Sequence, residues 1–164
     1  MRLGVHLPVA GKGASPEIIL EVAEEAERIG LDSVWSWERL MRPTVPIALG
    51  GADGPVMDAP EMFGIVYDPI ETLAYVAAHT SRITLGTSVL DALFQSPIIL
   101  ARRLATLDRF SGGRLVVGVG QGLDGPGIRG RGRLDEAARR GIRRTHPGHA
   151  SRLGSGPGEL RGAF

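Results

Sequence analysis

The sequence has no cysteine, which excludes disulfides, thiolate metal sites and cysteine nucleophiles, and which fits a reducing, cytoplasmic setting. No segment approaches the roughly 18 apolar residues of a membrane-spanning helix. The opening MRLGVHLPVAGKG has too short an apolar run for a signal peptide. No His/Asp/Glu set has metal-ligand spacing, and no G-x-S-x-G elbow occurs. What remains is 164 residues, 43% of them hydrophobic, with a formal net charge of +1. That is enough for one globular domain with a sizeable core.

The chain is organised around Ile83 to Gly122. Ile83-Thr84-Leu85 and Leu115-Val116-Val117 are β-rich, and between them a helical segment opens at Ser96-Pro97 and is stopped by Ser111-Gly112-Gly113. This is a βαβ unit, so its strands are parallel and both faces of the sheet need covering. The upstream sequence supplies more units. Arg2 to Leu7 is β-compatible. Ser15-Pro16 reads as an N-cap followed by proline at the first helical position, and Ile18, Ile19, Val22, Ala23, Ala26 and Ile29 share one helical face before Gly30. Asp32 to Ser36 is the second strand. Asp68-Pro69-Ile70-Glu71 has the form of a capping box, and its helix runs through Leu73, Val76 and Ala77 to about His79. The last helix is expected to bury Ile98, Ala101, Leu104 and Ala105 and to leave Arg102 and Arg103 in solvent.

Four strands thus alternate with three helices, which predicts an α/β fold with a parallel sheet. Periodicity does not separate a doubly wound sheet from a (β/α)8 barrel. The connection from Glu38 to Tyr67 is too irregular for a regular element, and loops of that length are functional or disordered.

Several motifs admit two readings. Gly118-Val119-Gly120-Gln121-Gly122 resembles the start of a dinucleotide fingerprint, but Leu123 stands at the sixth position and no helix pattern follows, which favours a tight turn at a strand end. Gly86-Thr87-Ser88-Val89 places glycine beside two hydroxyls, an arrangement that lets donors approach a ligand or simply ends a strand. Trp35-Ser36-Trp37-Glu38-Arg39 either lines a flat ligand pocket or supplies core tryptophans and a solvated ion pair. His6, near the end of the first strand, is a site candidate or a satisfied interior residue.

The blocks GVHLPVAG, AERIGLDSVWSWERL and TSRITLGTSVLDALFQSPIILARRLATLDRFSGGRLVVGVGQG together resemble the N-terminal half of luciferase-like, flavin- or deazaflavin-dependent oxidoreductases and monooxygenases. The resemblance covers Met1 to Gly122. It implies about four βα units of a (β/α)8 TIM barrel, with the site at the C-terminal ends of the strands. The implied cofactor is FMN or a deazaflavin coenzyme of the 8-hydroxy-5-deazaflavin type. The implied chemistry is hydride transfer to, or oxidation of, a small organic substrate. Thr87, Ser88 and Val89 match the third-strand bulge behind the cofactor ring, where a non-proline cis peptide is expected between Ser88 and Val89. Glu38-Arg39 stands where such proteins often carry Asp-His, and His6 and Glu38 complete the implied cofactor-binding set. No catalytic residue is assigned and no metal is implied.

After Gly122 the composition changes. From Leu123 onward there are nine arginines, four acids and ten of the 24 glycines. Codons read one base over permit strings that resemble the family's usual continuation. Residues 1–122 are therefore expected to form a partial luciferase-like (β/α) barrel domain, and residues 123–164 a frameshifted or disordered tail, which would leave this chain truncated and inactive. Two alternatives stay open. The first is a half-barrel interaction module that pairs with itself, as a homo-oligomer, or with another half through its open edges. The second is nucleic-acid binding through the Arg/Gly tail, which is disfavoured because Phe164 is the only aromatic residue there to stack on bases.

Overall fold

A computed structural model of the chain describes residues 1–48 and 54–120. All described residues belong to one compact unit, Met1–Leu123. The arginine-rich stretch and the last two residues of the glycine motif lie outside the described residues.

Strand β1 (Gly4–His6) leads into helix α1 (Pro16–Arg28) and strand β2 (Ser33–Ser36). The Ser15 hydroxyl accepts the Ile18 N–H at 3.3 Å, and Pro16 opens α1 with its φ already set for a helix. The long connection is less irregular than its composition suggests. It contains a short antiparallel pair, β3 (Ile47–Ala48) and β4 (Val56–Met57), and a 3-10 turn at Glu61–Gly64. Helix α2 (Pro69–His79) is capped by Asp68, whose carboxylate accepts the Ile70 N–H at 2.9 Å. Strand β5 (Thr84–Thr87) is followed by β6 (Leu90–Asp91), a 3-10 turn at Ala92–Phe94, helix α3 (Pro97–Ser111), and strands β7 (Leu115–Val116) and β8 (Val119–Gly120). Helix α3 ends on Gly112 at φ 69°, with the Gly112 and Gly113 N–H groups bonded to Arg109 O and Asp108 O.

The main sheet has the order β1-β2-β5-β7, all parallel, with β6 and β8 forming a second parallel pair above β5 and β7. Its register explains the core. Val5, Val34, Leu85 and Leu115 are neighbours in one row across all four strands and pack on the helices with Ile19, Ala23, Leu73, Val76 and Leu107. Because side chains alternate along a strand, the next row, His6, Trp35, Gly86 and Val116, belongs to the opposite face.

Two packing expectations need correction. Ile98 is 82% exposed and Ala101 is also exposed, whereas Leu100 and Leu107 are buried and Leu104 is half-buried. Helix α3 is apolar on more than one side, so its sequence offers two stripes, and the leucine stripe at 100, 104 and 107 is the one that meets the core. With that rotation Arg103 is only half-exposed, and it bridges to α2 by pairing with Glu71. In α1, Ile18 and Ile29 fall at the margin of the buried stripe and are exposed.

Candidate functional site

The carboxyl ends of the parallel strands bring all five sequence-nominated residues to one end of the sheet, around the break between β5 and β6. His6 ends β1 and is exposed. Its neighbour in the row is Trp35, whose indole N–H donates to Ser33 Oγ at 2.8 Å. The indole lies against Gly86: a Cβ at that position would be driven into the Trp35 ring. Glycine is thus required by close approach here, and it lets a large flat side chain lie along the sheet. Trp35 is half-buried on the face away from the helices, and so combines the two readings its sequence context left open.

Above Gly86 the ladder is interrupted. The Ser88–Val89 peptide is cis, as the resemblance led us to expect, and both residues are exposed, Val89 at 41%. Thr87, by contrast, is 1% exposed. Its hydroxyl donates to Gly118 O and accepts the Gly118 N–H, both at 2.9 Å. Gly118 is tied to this exchange, because a Cβ on it would meet the Thr87 carbonyl oxygen. The glycine motif at 118–120 is therefore bound to β5 and β6 through Thr87 and the Leu90 N–H to Gly118 O bond at 2.9 Å, rather than forming an open phosphate-binding turn.

Glu38 is half-buried just beyond the end of β2. One carboxylate oxygen accepts the Asp91 N–H, and the other accepts Gln95 Nε2 at 3.2 Å. Gln95 Oε1 in turn accepts Arg103 Nη1 at 3.2 Å, and Arg103 pairs with Glu71 and, at 3.6 Å, with Asp68. Burial and the adjacent Glu71 push the Asp68 carboxyl up to about 6, while hydrogen bonding to Asp68 and then to Arg103 holds Glu71 low. The neighbouring connection adds an aromatic group. Trp37 meets Phe63 edge-on at 6.0 Å, and the Arg39 guanidinium lies 4.3 Å from the Phe63 ring centroid. Sequence reasoning missed Gln95, Arg103 and Phe63, because each becomes a neighbour of the strand ends only through contacts across 20 or more residues or across two helices.

Two open grooves lie elsewhere. One of about 890 Å³ runs along α1, lined by Val5, Leu20, Ile29 and Leu31, and another of about 500 Å³ lies between α2 and α3 beside Ile70, Ile99 and Phe110. Neither includes a nominated site residue, and neither marks the candidate site. The strand-end position does. No group of three or more potential metal ligands is found among the described residues, and no helix there is long and apolar enough to cross a membrane.

This arrangement agrees with what comparison with known proteins finds. The sequence profile described as luciferase-like monooxygenase matches residues 1–145, farther along the chain than the limit at Gly122 expected from the sequence. The chain is 33% identical over 121 residues to an F420-dependent glucose-6-phosphate dehydrogenase of Amycolatopsis mediterranei, covering 73% of this chain and 32% of that protein. Among solved structures, the monooxygenase RslO1 of Streptomyces bottropensis superposes with a TM-score of 0.61 at 28% identity, over 85% of this chain and 41% of that one. The FMN complex of the oxygenating constituent of 3,6-diketocamphane monooxygenase of Pseudomonas putida shares the fold, with a TM-score of 0.56 at 21% identity, over 74% and 30% of the two chains. The chain thus spans about a third of the length of the relatives it matches. With a parallel sheet of this order and a family match over most of its length, the chain belongs to the luciferase-like monooxygenase family.

Proposed function

We propose that this chain carries the cofactor-ring half of a luciferase-like oxidoreductase that takes FMN or a deazaflavin at the carboxyl ends of its strands and acts on a small organic substrate. The observation that carries this reading is the register. The parallel ladder sets His6 beside Trp35 and Trp35 beside Gly86 on the face away from the helices, and the exposed Ser88 and Val89 follow directly on that row. A planar ring system fits there, because Gly86 has no side chain to lift the Trp35 indole off the sheet. His6, Ser88 and Val89 would line the ring, with Thr87 and Glu38 holding the wall behind it. The bound cofactor would supply the redox chemistry, hydride transfer or oxygen activation, and these residues would orient the ring and exclude water from one of its faces. The relatives' names support both cofactors, since one is F420-dependent and another binds FMN.

On this reading the 164-residue chain alone binds the ring without turnover, because four parallel strands make half of an eight-stranded barrel and the loops of the other half are needed for the rest of the cofactor. Titration of the purified chain with FMN and with F420, read by cofactor fluorescence, should give saturable quenching. Absence of any change with either would sink the reading. Resequencing the coding DNA across Gly118 to Arg133 tests the companion expectation of a shifted frame near Gly122. An extra base assigns turnover to the restored longer product, whereas an intact frame together with turnover by the 164-residue chain overturns its inactivity.

A further inference from the structure

We propose that Glu38 is a positioning residue: its carboxylate fixes the segment from Ser88 to Gln95 over the mouth of the sheet, and so sets the surface that the cofactor ring meets, without touching the ring itself. This rests on the cofactor reading above and assigns a role to one of its residues. The break at Ser88–Val89 is held to β2 at two points. Below it, the Ser88 N–H donates to the Ser36 main-chain carbonyl at 2.8 Å. Above it, the Asp91 N–H donates to the Glu38 side chain. Two residues on from Ser36, where a regular parallel ladder would offer another main-chain carbonyl, the bulged strand has moved out of step, and the Glu38 carboxylate reaches across instead. The side chain thus continues the sheet beyond the bulge.

The second carboxylate oxygen is also committed. It accepts Gln95 Nε2, while Gln95 Oε1 accepts Arg103 Nη1, and Arg103 is anchored on Glu71 and Asp68 at the start of α2. Each of these bonds has an ionised partner at one end, which makes the relay stiffer than a chain of neutral bonds. With one bond to each oxygen the carboxylate is fixed in orientation toward Asp91 and Gln95, and its length matters. Aspartate would fall short by about one C–C bond, roughly 1.5 Å, which is enough to lose the Asp91 N–H.

The test uses the full 164-residue chain and its Glu38→Asp, Glu38→Gln and Glu38→Ala variants. Amide exchange of peptides covering residues 88–95 is followed alongside FMN titration. Glu38→Asp and Glu38→Ala should raise exchange in that segment by about tenfold, with peptides from α1 and α2 unchanged, and should weaken FMN binding by about tenfold. Glu38→Gln should restore both to within about threefold, because its amide oxygen still accepts the Asp91 N–H. If Glu38→Ala fails to fold, the Asp and Gln variants decide alone. The proposal is overturned if exchange at 88–95 does not rise in Glu38→Asp, or if it rises while FMN affinity stays fixed. It is equally overturned if Glu38→Gln loses affinity and shifts the bound-flavin absorption band with exchange unchanged, the signature of direct ring contact. Should the parent chain bind F420 and not FMN, the same titrations are run with F420; should it bind neither, the cofactor reading fails and takes the ring-positioning role with it, while the exchange data still decide whether Glu38 holds the turn.

Discussion

At the amino-terminal rim of the sheet, charged side chains are spent on backbone groups that would otherwise be orphaned, whereas at the carboxyl rim they also join one another in a side-chain relay, from Glu38 through Gln95 to Arg103, Glu71 and Asp68, beside the exposed His6, Ser88 and Val89. On the amino-terminal side the Asp32 carboxylate accepts the Leu3 N–H at 2.6 Å. The Glu27 carboxylate accepts the N–H groups of Ser81, Arg82 and Ile83 in the turn before β5. Arg114 donates to the carbonyls of Ala77, Thr80 and Ile83, to the Thr80 hydroxyl and to Ser111 O, closing the C-terminal ends of α2 and α3. These are helix-end and strand-start groups that need partners once buried. The carboxyl rim instead carries the Glu38–Gln95–Arg103 relay and the exposed His6, Ser88 and Val89. On the proposed cofactor reading, one rim serves stability and the other a ligand, the division expected of parallel barrels. Changes at the first should move stability and spare cofactor affinity. Changes at the second should do more to affinity.

The largest effect is expected from Arg114→Met. It leaves four carbonyls and a hydroxyl without their donor, and should cost about 3 kcal/mol of stability, read as a fall in the urea midpoint at unchanged slope. Arg114→Lys should recover only part of this, since one ammonium cannot reproduce the planar fork. FMN affinity of the folded fraction should hold; if it falls before stability does, the division between rims is wrong. Next comes Gly86→Ala. A methyl in the Trp35 ring position forces the indole off the sheet, at about 1–3 kcal/mol for overpacking. Here the intrinsic tryptophan spectrum should shift and FMN quenching should weaken together.

Glu27 sharpens the comparison through pH. Burial alone would raise its carboxyl, but the N–H groups of Ile83, Arg82 and Ser81 outweigh it and hold the group at about 2, below its ordinary 4.5. A depressed folded value means stability that is present above pH 4.5 and lost as pH falls through about 2. Because the group is largely solvated, the loss should be about 1–2 kcal/mol after screening. Glu27→Gln should flatten the acid limb of a stability–pH curve, and an unchanged limb would count against the assignment.

How much of this was legible beforehand depends on the range of each interaction. The caps at Ser15 and Asp68 and the glycine stop at Gly112 are set by residues within four positions of one another, and all three stand where the sequence places them. The parallel sheet follows from the βαβ alternation. What could not be read is rotation and reach. Nothing local tells an apolar helix to bury Leu100 and Leu107 rather than Ile98. Glu71 fits a capping box, yet its carboxylate pairs with Arg103 on the next helix, so Arg103 is drawn out of solvent. Glu38 and Arg39 look like a solvated pair, but Glu38 bonds to Asp91 and Gln95 more than 50 residues on, and Arg39 lies over Phe63. Thr87 was named for a ligand and its hydroxyl goes to Gly118, because the break in β5 turns it toward β7 and β8. The strand-end position of the candidate residues was thus readable, but the partners that surround them come from loops and helices that sequence order keeps apart.

The smallest effect separates the rims most cleanly, because its sign is reversed. Asp68 lies half-sheltered between Glu71 and Arg103; burial, then the Glu71 carboxylate, raise its carboxyl from 3.8 to about 6, against the pull of the Ile70 N–H and Arg103. A raised folded value means stability that is fully present below pH 3.8 and lost as pH rises through about 6. The carboxyl rim therefore weakens over a range in which the amino-terminal rim, governed by Glu27, has already reached full strength. Asp68→Asn keeps an N-cap acceptor for Ile70 and removes the titration. It should leave stability near pH 4 within about 0.5 kcal/mol and abolish the decline between pH 4 and 6, while Glu27→Gln leaves that decline intact. Were Asp68→Asn instead to flatten the acid limb, or Glu27→Gln to remove the decline near pH 6, the two rims would not titrate independently, and the separation of a stabilising end from a ligand-facing end would have to be given up.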